Sequence, residues 1–169
     1  CTQELWQAMM RENSSGFKGA QKPVENVSWT DVQNFIQQIN KHYPQLKLRL
    51  PTEAEWENAC RAGTETAFHF GSDIALDKVN YRGTWEHETD KWGEGALQQT
   101  AAVKSYPPNA WGLYEMHGNV WEWCQDWYGE YPSEPVTDPQ GLEKGGRRVL
   151  RGGSWPFSAG SCRSATRNR

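Results

Sequence analysis

Between Trp111 and Tyr128 the chain reads WGLYEMHGNVWEWCQDWY. This stretch carries four of the ten tryptophans, two carboxylates (Glu115 and Glu122) bracketing a Gly118-Asn119 turn, and Cys124. A surface loop would not hold so much aromatic area, and a regular amphipathic helix would not hold His-Gly-Asn at its centre. The sequence predicts irregular backbone wedged into a core by large rings. Carbonyls freed by the turn would face a cation held by Glu115 and Glu122. The remaining composition agrees with such a core. Only 36% of the 169 residues are hydrophobic and the mean hydropathy is −0.89, so aliphatic side chains are scarce. Tryptophans offset that scarcity, each burying roughly 150–250 Å². The expectation is one aromatic-rich, loop-rich α+β domain over residues 1–169, large enough to bury a core without staples. Disordered chains are poor in aromatics, which excludes disorder.

A net charge of −3 gives no global attraction to nucleic acid or to an anionic membrane, although six arginines between Arg147 and Arg169 crowd the last quarter. No apolar run reaches the length of a membrane span or of a signal peptide. The compartment is left open, surface display and secretion included. The chain begins at Cys1 without a methionine, as a piece of a longer protein would. Cys1, Cys60, Cys124 and Cys162 include no C-x-x-C pair, which argues against a zinc ribbon and leaves disulfides open.

Thr2 can cap a short helix with Leu5, Trp6, Met9 and Met10 on one face. Ser28 and Asp31 start a second helix with Val32, Phe35, Ile36 and Ile39 at helical spacing. Thr52 and Glu55 form a capping box for a third, running to about Arg61 and stopped by Gly63. Strands are expected at Leu46–Leu50, at Ala101–Tyr106 and from Arg147 to Leu150. Residues 64–95 read as loop, where His69, Glu86, His87, Glu88 and Asp90 fit no common metal-ligand spacing.

Four segments together carry a specific likeness. PVENVSWTDVQNF, RLPTEAEWENACRAGT, YPPNAWGLYEMHGNVWEWCQDWY and RVLRGGSW followed by CRSATRN resemble, in order, the formylglycine-generating enzyme family, or sulfatase-modifying-factor family. The resemblance implies an elaborated C-type-lectin-like fold, α+β with little regular secondary structure and an aromatic-rich core. It also implies a strand ahead of Cys1 and a terminal strand ending in Gly-Phe-Arg, neither of which this sequence contains.

The family's enzymes oxidise a substrate cysteine to formylglycine at copper held by two cysteines just after the Gly-Gly-Ser-aromatic turn. Two soft thiolates must converge on one Cu(I). In this sequence Phe157 stands at the first cysteine's position, the second falls near Ala159, and only Cys162 is close. No copper and no catalytic residue are therefore expected, although Ser154 and Trp121 match residues lining the family's cleft. Formylglycine-generating oxidase activity is the alternative. Cys60 matches a structural cysteine whose partner position is occupied by Ser164, which leaves a Cys60–Cys162 contact open. Cys124 reads as a small buried hydrophobe.

By the same resemblance a structural calcium ion is held by the Glu115 side chain, the Gly118 and Val120 carbonyls, and the Glu122 side chain. That oxygen set suits calcium, with water completing the shell. The alternative for the same carboxylates is bonding to loop amides or arginines. A second family calcium site matches Asn80, but Gly95 stands where its aspartate belongs, so that site is not expected. His117 reads as packing, and Arg163 and Arg167 as partners of Glu53 or Glu55.

Finally, GGSW and CRSA-RNR frame small and polar residues where this fold presents a ligand. The segment resembles the variable region of diversity-generating retroelement proteins. Trp155, Pro156, Phe157, Ser158, Gly160, Ser161, Thr166 and Asn168 would then form a binding surface on a rigid scaffold. Drift in a non-catalytic paralogue is the competing account. The overall expectation is a calcium-stabilised, non-catalytic domain that binds a protein or other macromolecule through residues 155–168, with no nucleic-acid partner.

Overall fold

The computed structural model describes residues 1–84 and 91–169. Glu86, His87, Glu88 and Asp90 lie outside them. Three helices open the chain: α1 (Gln3–Met10), α2 (Trp29–His42) and α3 (Glu53–Arg61). Each starts where its cap predicts. Thr2 Oγ1 accepts from the Leu5 amide, Ser28 and Asp31 bond reciprocally, and so do Thr52 and Glu55. These bonds satisfy amides that a helix start leaves without partners.

The first two helices make a layer of their own, with Trp6 stacked on Phe35 at 4.9 Å and Ile39 beside them. Leu5 departs from the expected apolar face and is exposed. Gln3 is buried there instead. Its amide donates to the Phe17 and Pro23 carbonyls and accepts from Asn13 Nδ2 and the Gly19 amide, which fixes the loop after α1.

The sheet is small and antiparallel, in the order β1 (Glu122–Trp127), β2 (Arg148–Arg151), β3 (Arg167–Asn168). A bulge lies between Trp123 and Trp127. The second half of the tryptophan-rich stretch is thus a bulged strand, where backbone outside any strand was expected. Its alternation was hard to see because Glu122, Cys124 and Asp126 share one face, and two of these three are polar. Indoles tie β1 to α2 and to the residues just ahead of it: Trp29 Nε1 donates to the Cys124 carbonyl and Trp123 Nε1 to the Val27 carbonyl.

Neither of two other expected strands forms. After a short 3₁₀ turn at Pro44–Leu46, Lys47 turns left-handed, and the Asn40 side chain takes both the amide and the carbonyl of Leu48. That leaves Leu48 without backbone groups for a ladder. Residues 101–106 are turn and irregular backbone, with Lys104 left-handed.

Helix α3 lies across the sheet, burying Trp56 and Cys60 against Met116, Cys124 and Val149. It is locked there by charge. Arg151, fully buried, pairs with Glu53 and Glu57 at 2.6 Å each, and Arg167 pairs with Glu53 from β3. The arginine expectation is half corrected: Arg167 meets Glu53, but Arg163 is exposed, Glu55 pairs with Arg49, and Arg151 takes the buried position.

Candidate functional site

Two neighbouring pieces of irregular backbone form the site: the turn around Gly118-Asn119, and the segment leaving β2. Asn119 is buried and left-handed at φ 61°. Its amide donates to the Asn80 carbonyl, its side-chain oxygen accepts from Asn80 Nδ2 and the Ala101 amide, and its carbonyl accepts from the Trp155 amide. The Gly118 amide donates to the Gly152 carbonyl at 2.7 Å. The turn therefore fixes where the 152–168 segment begins.

Only glycine suits the root of that segment. Gly153 has φ 78°, and a Cβ there would sit 2.7 Å from Cys162 Sγ. Beyond it the chain is held largely by its own backbone. Phe157 receives a bond from Arg82 N and donates to the Ser154 carbonyl; Ala159 N donates to Thr84, and Ser164 N to Ala67. Such bonds do not depend on which side chain occupies the position. A 3₁₀ turn at Ala159–Cys162 completes the segment.

Of the residues expected to face a ligand, Trp155, Pro156, Phe157, Gly160, Ser161, Thr166 and Asn168 are half-buried. Ser158 is buried, at 4% exposure, and adds no surface; it opens the 3₁₀ turn with its side chain enclosed. Asn168 belongs to β3, opposite Leu150. Exposed Arg163 and Ala165 were not anticipated as part of this segment's surface. An aromatic wall bounds it: Trp155 stacks on Trp92 at 5.5 Å and meets the edge of Phe17, while Phe157 meets Trp121 edge-on. Beside the wall a cavity of about 280 Å³ is lined by Thr100, Asn119, Trp121, Ser154 and Trp155, among others. The Trp121 indole N–H and the Thr100 hydroxyl are buried there without a partner among the described residues.

The residues present do not fit a two-cysteine copper centre. The Phe157 ring occupies one position, and burial pushes the Cys162 thiol up to about 12, far from a thiolate at neutral pH. Cys60, Cys124 and Cys162 are all buried and free, and Cys60 Sγ lies 3.7 Å from Ser164 Oγ. His117 packs as expected. The Cys162 carbonyl can only accept from its Nδ1, so Nε2 accepts from the His69 amide and the ring is neutral. Burial lowers its pKa to about 4.

In the 115–122 loop the two carboxylates differ. Glu115, left-handed at φ 50°, accepts from the Lys104 and Tyr106 amides, as the alternative foresaw. Among the described residues Glu122 accepts from Trp56 Nε1 alone, at 2.6 Å, and desolvation raises its pKa. No salt bridge reaches it among the described residues. The Gly118 and Val120 carbonyls have no assigned donor among those residues either. Two unpaired carbonyls beside a partly buried carboxylate that forms no salt bridge make a donor set suited to a hard cation. No cluster of three or more histidine, cysteine, aspartate or glutamate side chains converges among the described residues. Among them, also, no helix is long and apolar enough to cross a membrane.

Residues 2–169 match the sulfatase-modifying factor enzyme 1-like domain. The formylglycine-generating enzyme of Mus musculus is 35% identical over 161 residues, covering 93% of this chain and 41% of that protein. A serine/threonine-protein kinase pkn1 of Chlamydia pneumoniae is 38% identical over 155 residues, covering 89% of this chain but 22% of that protein. The chain thus spans well under half the length of these relatives. Among solved structures, Treponema denticola variable protein 1 superposes with a TM-score of 0.83 at 30% identity, over 99% of this chain and 75% of that one.

Proposed function

The chain belongs to the sulfatase-modifying factor enzyme 1-like family and has its C-type-lectin-like α+β fold, and on that premise we propose that it is a non-catalytic ligand-binding domain. It displays the 155–168 surface to a protein or other macromolecule from a scaffold stabilised by calcium. The observation that carries this reading is the presence of Phe157 where the family's first copper cysteine stands, in a segment held by backbone bonds at Phe157, Ala159 and Ser164. The similarity to a variable protein supports it further.

In this reading calcium is held by the Glu115 and Glu122 carboxylates and the Gly118 and Val120 carbonyls. It supplies Glu122 with a direct charge partner and stiffens the turn from which the 152–168 segment departs. Among the described residues no salt bridge does this.

Copper(I) titration of the purified domain, read against a competing chelator, tests the non-catalytic assignment. The expected result is no tight stoichiometric binding; a tight one-to-one thiolate site would overturn it. A near-copy of the 152–169 coding stretch in neighbouring DNA, differing only at adenines and beside a reverse transcriptase, would mark the segment as programmed to vary. Its absence would favour ordinary drift.

A further inference from the structure

A groove of about 720 Å³ runs between α3 and the irregular segment after β1, residues 129–142. That volume lies within the roughly 300–1,000 Å³ usual for ligand sites. None of residues 155–166 lines it. Three apolar side chains stand open in its wall: Tyr131 at 61% exposure, Val136 at 54% and Leu142 at 48%. Five carboxylates line it as well, of which Glu53 and Glu57 are paired with arginines. Asp126 lies at the floor, buried, and Glu130 and Glu134 are exposed.

The charge in the groove is unbalanced. Its arginines are already engaged, Arg61 by Glu57 and Arg167 by Glu53. Asp126, Glu130 and Glu134 form no ion pair among the described residues. Asp126 Oδ2 accepts from the Glu53 amide. Space beside Oδ1 is kept by Gly141, where a Cβ would lie 2.7 Å from that oxygen. Exposed apolar surface next to unmatched carboxylates suits a ligand that is cationic at one point and apolar around it.

We propose that this groove binds a peptide segment presenting a lysine or arginine flanked by apolar side chains. The cation meets Asp126, Glu130 and Glu134, and the flanking side chains cover Tyr131, Val136 and Leu142. An anionic ligand would be repelled, and a small free amine would leave most of the volume and the apolar wall uncovered. Charge pairing at Asp126 also offsets the desolvation that raises its pKa.

The test is an amide-resolved NMR titration with the blocked tripeptide acetyl-Leu-Arg-Leu-amide, and with its Leu-Gln-Leu counterpart. The expected result is saturable shifts in residues 129–142 and α3 for the arginine peptide alone. The Glu130→Gln/Glu134→Gln double variant, altered only on exposed surface, should weaken that binding about tenfold, the effect of two modest ion pairs. Equal responses to both peptides, an unchanged affinity in the double variant, or shifts confined to residues 155–168 would overturn the proposal. The proposal does not depend on the 155–168 reading, which would survive its failure.

Discussion

Replacing Arg151 by alanine should lower the melting temperature on the order of 10 °C, the largest loss expected from any single change in this domain. The guanidinium is fully buried and bonds Glu53, Glu57 and the Ser164 carbonyl, joining α3 to β2 and to the segment after the 3₁₀ turn. Removing it strands the Glu53 carboxylate, itself only 5% exposed, with Arg167 as its remaining cation. Breaking a buried pair by deleting one partner costs about 3–5 kcal/mol, because the other charge is left desolvated. Lysine at the same position should also destabilise, since one ammonium cannot fork between Glu53 and Glu57. Arg163→Ala is the control: that side chain is exposed, and its loss should stay within about 0.5 kcal/mol. Scanning calorimetry of the three variants checks the ranking. Equal melting temperatures for Arg151→Ala and Arg163→Ala would mean that the cluster does not hold the fold.

The second large effect changes sign with calcium. Glu122 is a carboxylate enclosed beside Trp56, and desolvation disfavours its charged form. In chelator, Glu122→Gln should melt at or above the parent, since glutamine can still accept from the Trp56 indole without burying a charge. In millimolar calcium the parent should gain stability, by about 2.7 kcal/mol at a hundredfold excess over Kd, while the variant gains little. The two melting curves should therefore exchange order between chelator and calcium. A parent whose melting temperature ignores calcium would remove the clamp from the account.

The elements set by short-range chemistry were legible in the sequence. All three helices begin at the caps read from Thr2, Ser28 and Thr52, because capping involves residues three apart. Gly152 and Gly153 end β2 where expected, both at positive φ. Long-range pairing was not legible. Arg151 and Glu53 are 98 residues apart, and nothing in either neighbourhood marks them as partners. β3 is two residues long and leaves no periodic trace. Leu46–Leu50 alternates like a strand, but the Asn40 side chain captures Leu48 first. At the site, family likeness located the 152–168 segment and the 115–122 loop, whereas the burial of Ser158 followed only from the 3₁₀ turn it opens. The groove beside α3 carried no sequence signal at all, since Asp126 and Leu142 are brought to it by a bridge between Trp127 and Leu142 that neither neighbourhood announces.

In the proposed function, scaffold and binding surface are separable. Fold should rest on the Arg151 cluster and the Gly118-Asn119 turn, and recognition on side chains carried by a segment that its backbone holds. The direct measurement is a displayed library randomised at Pro156, Phe157, Gly160, Ser161 and Thr166, scored for folding by thermal melting and for binding by selection against a panel of proteins. Most clones should keep melting temperatures close to the parent, and selected binders should lose affinity when those five positions are reverted. Widespread unfolding in the library, or binders indifferent to the reversion, would contradict it.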